Sequence, residues 1–346
     1  MTNPDAIDFI KPTTDGTCEP NPFVVLREEL VSALSLYWST ASRVLGGSGI
    51  RLLDPGLEFF SLENNFFSAL FLYSYYRADI SKPRRILYAA VNQCLRGMVT
   101  GCDNILDNEY KRTLETDLPW QGTRFRSILD IMVSDRVLFE ILLKSCETDG
   151  LPYDRIAVAS AVSLRALARS GAQEATEEGG GAGSRLVPQE VLRSVHHSKT
   201  GELFQAPWAV PAVIEGLGET TVGPIRQALY SIGMGCQIMD DMVDLLEDVR
   251  EGRQNYVASL IYHDSSRDDW ARLEGKLAFD IGPEEERDML FEFPSARLAA
   301  AKAARNFLEE GTTALFGKRH SYLVQPTVSF LARRIRADRY LTDREG

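Results

Sequence analysis

Apolar residues recur at intervals of three and four along most of this chain, and no segment shows the sustained alternation that is typical of a strand. The first predicted helix begins at Asn21, an N-cap residue that a proline follows, and ends at Gly46 and Gly47. Further helices are predicted at residues 62–76, 84–108, 125–146, 154–169, 188–216, 222–249, 295–311 and 324–341. The glycine-rich stretch 171–184 is expected to be a surface loop, and the charged stretch 264–286 to form short helices or loops. The pattern predicts an all-α fold.

The composition narrows the class of protein. The 346 residues are 44% hydrophobic, enough for a sizeable core, and the formal net charge is −11. This excess of acids argues against nucleic acid as a partner, because phosphate backbones are bound by clustered Lys and Arg. The five cysteines show no CxxC spacing and are expected to be reduced, which favours a cytoplasmic location. No signal peptide and no membrane span are expected, since no basic leader begins the sequence and no apolar stretch reaches ~20 residues.

Two acids lie one helical turn apart near the C-terminal end of the apolar helix 84–108. Asp103 and Asp107 share one face of that helix and repel each other unless a cation lies between them. Hard oxygen ligands of this kind suit Mg²⁺. Taken alone, the pair is better explained by a solvated helix end, so it does not by itself indicate a metal site.

A second acidic cluster interrupts an apolar helix further along the chain. Asp240, Asp244 and Asp248 recur one turn apart, and Asp241 adjoins the first of them. Apolar residues fill most of the remaining circumference, so acids placed there cost several kcal/mol unless another charge compensates them. Metal coordination is therefore favoured over a surface stripe for this cluster.

Basic residues lie between and after the two clusters. Lys199, followed by Thr200 and Gly201, precedes the second cluster, and Arg253 follows it. An ammonium or guanidinium so placed suits the oxygens of a diphosphate, although each residue is equally compatible with an ordinary surface base. The histidine pair just before Lys199 is far in sequence from other His or Cys residues, so zinc is not indicated.

Taken in order, these segments resemble the motifs of the trans-isoprenyl diphosphate synthase family. That family carries a DDxxD motif, a Lys-Thr-Gly and a QxxDDxxD motif. Residues 103–107, 199–201 and 237–244 stand in their places, in the family's order and near its spacing. The resemblance spans roughly residues 62–253, and three ordered motifs make it specific.

The resemblance implies a fold, a set of metal ions and a substrate. The fold is the class I isoprenoid synthase helical bundle with a central cavity, as one domain over 21–346 after a flexible N-terminus at 1–20, and a homodimer is expected. Three Mg²⁺ ions would be held by the aspartate motifs and would face the diphosphate of a prenyl diphosphate. The implied metal ligands are Asp103, Asp107, Asp240, Asp241 and Asp244. The implied catalytic set is Asp103, Asp107, Asp240, Asp244 and Lys199, and the implied substrate contacts are Arg112, Lys199, Thr200, Gln237 and Arg253.

The chain departs from the family where a second substrate would bind. Chain-elongating members hold isopentenyl diphosphate with a Gly-Lys-Arg-x-Arg-Pro motif, but Asn64 and Asn65 stand at the corresponding distance before Asp103. Arg96 replaces a histidine of the family, and Asn104 replaces the second aspartate of DDxxD, where a return to Asp is expected to be mild. A second diphosphate needs cationic partners, so these departures argue against condensation.

The remaining combination resembles a class I terpene synthase, which ionises one prenyl diphosphate and releases a terpene. Arg339 and Tyr340 match an Arg-Tyr pair that meets the diphosphate in many bacterial terpene synthases, although a packed helix end explains the pair equally well. Met98 and Val99 stand where bulky aromatics of the family stop the chain short, which predicts a C15 or C20 substrate. The leading interpretation is a terpene synthase (cyclase). The alternatives are a chain-elongating trans-prenyl diphosphate synthase of the farnesyl or geranylgeranyl type and a non-catalytic partner subunit.

Overall fold

The computed structural model describes residues 21–107, 110–178, 185–277 and 282–342. Helices account for most of these residues and no strand is present among them, so the predicted all-α fold is confirmed. The chain forms two compact units, one of residues up to 167 with 207–222, and one of 168–206 with the residues from 223 on. The N-terminal segment 1–20, predicted to be flexible, lies outside the described residues.

Packed helices form the first unit around an apolar core. Helix α1 begins as its sequence predicts, because the Asn21 side chain accepts a hydrogen bond from the Phe23 amide at 3.0 Å. The helices here are α1 (Pro22–Val44), α2 (Phe66–Arg77), α3 (Lys82–Leu106), α4 (Thr123–Asp149), the larger part of α5 (Tyr153–Glu178) and α6 (Ala209–Glu215), with a 3₁₀ turn at Leu57–Phe60. Helices α1 to α4 contact one another and hold the first acidic pair at the end of α3.

Helix α3 packs closely on α4 because glycines stand on its inner face. A Cβ at Gly97 would lie 2.1 Å from Ser134 Oγ, and a Cβ at Gly101 would lie 2.7 Å from Ile131 Cγ1. Asp103 lies on a different face of α3. The close contact therefore fixes the helix without involving its acidic pair.

The second unit begins with an unusual helical segment. Residues Val191–Gly201 form a π-helix, with short α-helical turns at Pro188–Glu190 and Glu202–Gln205 on its two sides. A 3₁₀ turn at Ala206–Trp208 follows. The other helices are α7 (Glu219–Val243, whose first turn belongs to the first unit), α8 (Leu245–Glu251), α9 (Tyr256–Asp264), α10 (Arg267–Leu277), α11 (Pro283–Asp288), α12 (Pro294–Phe316), α13 (Val324–Ile335) and α14 (Asp338–Leu341), with 3₁₀ turns at Met289–Glu292 and Ser321–Leu323. Helix α12 contacts α9, α13 and α14.

Besides the π-helix and 3₁₀ turn within the predicted helix 188–216, the helix boundaries differ from the prediction in three further places. The expected loop 171–184 is helical as far as Glu178, because Ala, Gln and Glu follow Gly171 and favour a helix, and residues 179–184 lie outside the described part. The predicted helix 222–249 is interrupted at Asp244, and the predicted helix 324–341 is interrupted at Arg336, whose φ is +69°. Such breaks depend on tertiary packing, which sequence periodicity does not record.

Among the described helices, none is both long enough and apolar enough to cross a bilayer.

Candidate functional site

The first acidic pair stands at the C-terminal end of α3. Asp103 lies in the last turn and is half-buried, whereas Asp107 caps the helix and is exposed. The Asp107 amide donates to the Asp103 carbonyl at 2.8 Å, so the two residues are one turn apart as predicted. At Asp107 the backbone has left the helical region, with φ −87° and ψ 0°.

The second pair repeats this local geometry at the C-terminal end of α7. Asp240 lies in the last turn and is exposed, and the Asp244 amide donates to its carbonyl at 2.9 Å. Asp244 is half-buried, with φ −100° and ψ 17°, close to the angles of Asp107. Both motifs therefore place one carboxylate before the end of a long helix and one directly after it.

Both pairs are suited to a divalent cation. The C-terminal end of a helix carries partial negative charge, so Asp103, Asp107 and Asp240 are unfavourable there unless a cation compensates them, whereas Asp244 also begins α8, whose N-terminal end favours a carboxylate. Within the described residues, no three His, Cys, Asp or Glu side chains come close enough together to hold a metal ion by themselves. Mg²⁺ does not require such a cage, because it keeps several waters and is bound through one or two carboxylates together with substrate phosphates. The donors fit Mg²⁺ on this chemistry.

Asp241 differs from its neighbours because it is buried and engaged on both oxygens. Oδ1 accepts from Gln237 Nε2 at 3.1 Å, and Oδ2 accepts from the Tyr256 amide at 2.5 Å and lies 2.9 Å from His196 Nε2. Only 2% of Asp241 is exposed. The sequence predicted Asp241 as a metal ligand, but these contacts give it a structural role that joins α7 to the start of α9.

Two residues of this network were missed by the sequence interpretation. For His196 the sequence indicated only a surface position or a supporting role beside the site, without its partner, and it is buried against Asp241. Asn255 caps α9 by accepting from the Ala258 amide, and its Nδ2 reaches the Asp241 carbonyl at 2.9 Å and Asp248 Oδ2 at 2.8 Å. An asparagine directly before an apolar run is an N-cap signal that predicts the cap, but not the two other contacts.

The acids of the second motif interact strongly. Burial, together with the neighbouring carboxylates of Asp241 and Asp244, raises the pKa of Asp248 well above its usual range, while the Asn255 hydrogen bond and Lys199 lower it. Negative charge is therefore in excess beside Asp244. A bound cation would relieve that excess.

The Lys-Thr-Gly segment ends the π-helix. Lys199 is half-buried, and its carbonyl accepts from Ser170 Oγ at 2.6 Å. Thr200 donates to Gln237 Oε1, so two predicted substrate contacts are hydrogen-bonded to each other. A Cβ at Gly201 would lie 2.3 Å from the Tyr230 ring, so only glycine allows the π-helix to approach α7 here. Long π-helices are rare and often mark functional sites.

Each arginine predicted to contact substrate has an ion-pair partner in its own unit. Arg112 pairs with Glu115 and lies over the Trp120 ring at 5.1 Å. Arg253 pairs with Glu251 at 2.7 Å. Arg339 pairs with Asp288, and Tyr340 is buried with its hydroxyl donating to the Arg287 carbonyl at 2.7 Å. Asp244 contributes to the raised pKa of Tyr340, behind burial, which places this pair within electrostatic range of the second motif.

The segment after the first motif, residues 110–118, is held by buried polar side chains. The Asn104 side chain bonds to both the backbone amide and the backbone carbonyl of Lys111. Thr113 donates to Asp130 Oδ2 at 2.6 Å. Arg126 Nη2 donates to the carbonyls of Thr116 and Leu118 at 2.9 and 2.8 Å. Burial raises the pKa of Asp130 to about 7, against the smaller opposing effects of Thr113 and Arg126.

The residues at the expected second-substrate position also bind within the chain. Asn65 Nδ2 donates to the carbonyls of Phe59 and Ser61, and Arg96 donates to Asn65 Oδ1 at 2.8 Å. Arg51, which follows the glycines that end α1, donates to Asp117 from its amide at 2.9 Å and from Nε at 3.0 Å. These contacts leave no cluster of bases among the described residues of this region.

Replacing Asp241 by Ala is expected to lower the free energy of unfolding by about 3 kcal/mol, because the buried Tyr256 amide loses its acceptor and His196 loses the carboxylate beside it. Asp240→Ala, at the exposed neighbouring position, is expected to change it by about 0.5 kcal/mol or less. Urea denaturation of both variants measures the difference. Equal stability of the two variants would contradict the structural role of Asp241.

The raised pKa of Asp130 predicts a pH dependence of stability. The folded state keeps the carboxyl proton up to about pH 7, whereas the unfolded chain loses it near the usual 3.8. Wild-type stability therefore falls as the pH rises through this window. Asp130→Asn should match wild type near pH 4 and exceed it by roughly 2–4 kcal/mol above pH 8. Denaturation at both pH values checks this, and a constant difference between the two proteins would refute it.

Comparison with known proteins rests on structure. No protein-family model matches the chain, and no curated protein matches it by sequence. Among solved structures, geranylgeranyl pyrophosphate synthetase from the archaeon Geoglobus acetivorans is 18% identical, with a TM-score of 0.58, over 94% of this chain and 98% of that one. Octaprenyl pyrophosphate synthase from Helicobacter pylori is 14% identical, with a TM-score of 0.60, over 87% and 99%.

A third structure contains ligands. Geranylgeranyl pyrophosphate synthase from Corynebacterium glutamicum, complexed with isoprenyl diphosphate and magnesium, is 15% identical, with a TM-score of 0.57, over 89% of this chain and 98% of that one. Identities this low establish the fold and leave function to the site itself. The chain has the all-α fold of the trans-isoprenyl diphosphate synthases, as its motifs predicted.

Proposed function

We propose that this chain is a class I, Mg²⁺-dependent enzyme that binds a prenyl diphosphate and removes its diphosphate. The supporting observation is the repeated geometry of the two motifs, with Asp103 and Asp107, and again Asp240 and Asp244, at the negative end of a long helix. These four carboxylates would hold the metal ions, and three ions remain an expectation from the resemblance.

The bound ions would neutralise the charge that develops on the leaving diphosphate, which lowers the barrier to an allylic cation. Lys199 supplies a point charge to the same oxygens, and its backbone is fixed by the bond from Ser170. Thr200 and Gln237 are tied to Asp241, so the second motif and the Lys-Thr-Gly segment are held as one rigid group.

The allylic cation has two candidate fates, which are chain elongation and conversion to a terpene. The names of the structural neighbours describe synthases of prenyl diphosphates, and they favour chain elongation over the terpene synthase that the sequence placed first. The described residues favour the terpene synthase, because Asn64 and Asn65 stand where bases would hold a second diphosphate. Both candidates share the ionisation step.

One assay separates the candidates. The purified chain is incubated with Mg²⁺ and C10, C15 or C20 prenyl diphosphate, with and without isopentenyl diphosphate, and the products are analysed. A terpene formed without isopentenyl diphosphate supports the synthase that acts on one substrate, whereas a lengthened diphosphate supports elongation. Asp240→Ala serves as the matched inactive control. No turnover by the wild-type chain with any of these substrates would support the non-catalytic partner subunit. Highest kcat/KM is expected for C15 or C20, because Met98 and Val99 carry no ring.

The expected homodimer is also proposed, on the basis of an apolar stripe. Phe125, Ile128, Met132 and Phe139 recur at helical spacing along α4, and all four are exposed. Met132→Glu should shift the protein from dimer to monomer in light scattering, while Leu57→Glu, an exposed position outside the stripe, should not. A monomeric wild type, or an unchanged Met132→Glu dimer, would refute this proposal. The cytoplasmic location stays a prediction, which cell fractionation can check.

A further inference from the structure

Asn104 makes a pair of hydrogen bonds that an aspartate cannot make. Its Nδ2 donates to the Lys111 carbonyl at 2.9 Å, and its Oδ1 accepts from the Lys111 amide at 2.7 Å. Only 4% of Asn104 is exposed. An ionised carboxylate at this position would keep the bond from the amide, but it would place its second oxygen against the Lys111 carbonyl, with its charge buried.

The second motif uses the corresponding position in the same way. Asp241 follows Asp240 as Asn104 follows Asp103, and it too is buried and holds a later backbone amide, that of Tyr256. In both motifs, the first and last aspartates lie at the end of the helix, while the residue directly after the first aspartate turns inward. The parallel indicates that the inward residue holds the following segment in place.

The segment that Asn104 holds carries the bases next to the first motif. Residues 110–118 include Lys111 and Arg112, and Lys111 is the residue whose peptide Asn104 binds. Thr113 and Arg126 provide further anchors, and the Leu53 amide donates to the Glu115 carbonyl at 2.9 Å. Asn104 is the anchor nearest to the acidic pair in sequence.

We propose that Asn104 is a positioning residue, whose side-chain amide clamps the Lys111 peptide and so fixes Lys111 and Arg112 for a diphosphate. The clamp itself stands on the hydrogen bonds, and its use for a diphosphate rests on the proposed function. Asn104 therefore has a positioning role and does not act as a weakened metal ligand. This revises the expectation that a return to Asp is mild.

The test compares Asn104→Asp and Asn104→Ala with wild type in the full-length chain. Hydrogen exchange resolved at the Lys111 amide is expected to be about tenfold faster or more in both variants: in Asn104→Ala the amide loses its acceptor, and in Asn104→Asp the second carboxylate oxygen repels the Lys111 carbonyl and pushes the segment away from the remaining bond. Affinity for inorganic diphosphate with Mg²⁺, measured by calorimetry, is expected to fall about tenfold. In turnover, KM for the prenyl diphosphate should rise more than kcat falls.

Two further variants separate positioning from a general loss of stability. Thr113→Val removes the next anchor of the same segment and should change both readouts in the same direction, which keeps the test decisive if an Asn104 variant does not fold. Tyr37→Phe removes a buried hydrogen bond to Ser134 that does not involve the segment, and it should change neither.

The outcomes distinguish the inference from the proposed function. Wild-type exchange at Lys111 in Asn104→Asp, with tighter binding of Mg²⁺, would overturn the clamp and identify Asn104 as a weakened ligand. If wild type neither binds diphosphate nor turns over any prenyl diphosphate, the proposed function and the diphosphate role of the clamp both fail. The exchange rates would then still decide whether Asn104 holds the segment.

Discussion

The unfavourable placement of carboxylates at the negative ends of two long helices is the constraint on which the site depends. Asp103 and Asp107 end α3, and Asp240 and Asp244 end α7, each pair with the same backbone geometry. Mutual repulsion opposes both arrangements in the absence of cations, and the helix dipole opposes Asp103, Asp107 and Asp240, whereas Asp244 also caps the N-terminal end of α8, where a carboxylate is favourable. Packing of the rest of each helix, such as the glycine face of α3 against α4, holds the acids in place nevertheless.

The residues between these acids explain how the arrangement is maintained. Asn104 and Asp241 turn inward and bind backbone groups of Lys111 and Tyr256, so each helix end is joined to the segment that follows it. The inward residue thus supplies rigidity to each helix end. Aspartates of the same motif can therefore have different roles. The change from Asp to Asn at one inward position alters the hydrogen bonding of a loop and leaves the outward pair intact.

The sequence predicted those features that depend on local spacing. It placed the acids one turn apart on apolar helices and identified the α1 cap at Asn21, because these follow from helical periodicity and backbone chemistry. It did not predict the inward direction of Asn104 or the burial of His196, because their partners come from other segments. The π-helix and the break at Asp244 were also missed, since both depend on close packing such as that of Gly201 on Tyr230. The positions of the acids can therefore be predicted from local sequence patterns, whereas their roles depend on tertiary contacts.

The same fold is compatible with either fate of the allylic cation, so the distinction must come from cationic groups. A second diphosphate needs several bases that are not already neutralised. In the first unit, Arg51 is bonded to Asp117 and Arg96 to Asn65, so two bases of the region contribute to internal structure. The pair of Arg51 and Asp117 is exposed and can exchange partners at little cost. The Asn65 side chain, in contrast, is buried and makes three hydrogen bonds. Of the two positions, the one at Asn65 is thus the harder to rearrange, so it bears more directly on the choice between the two proposed fates.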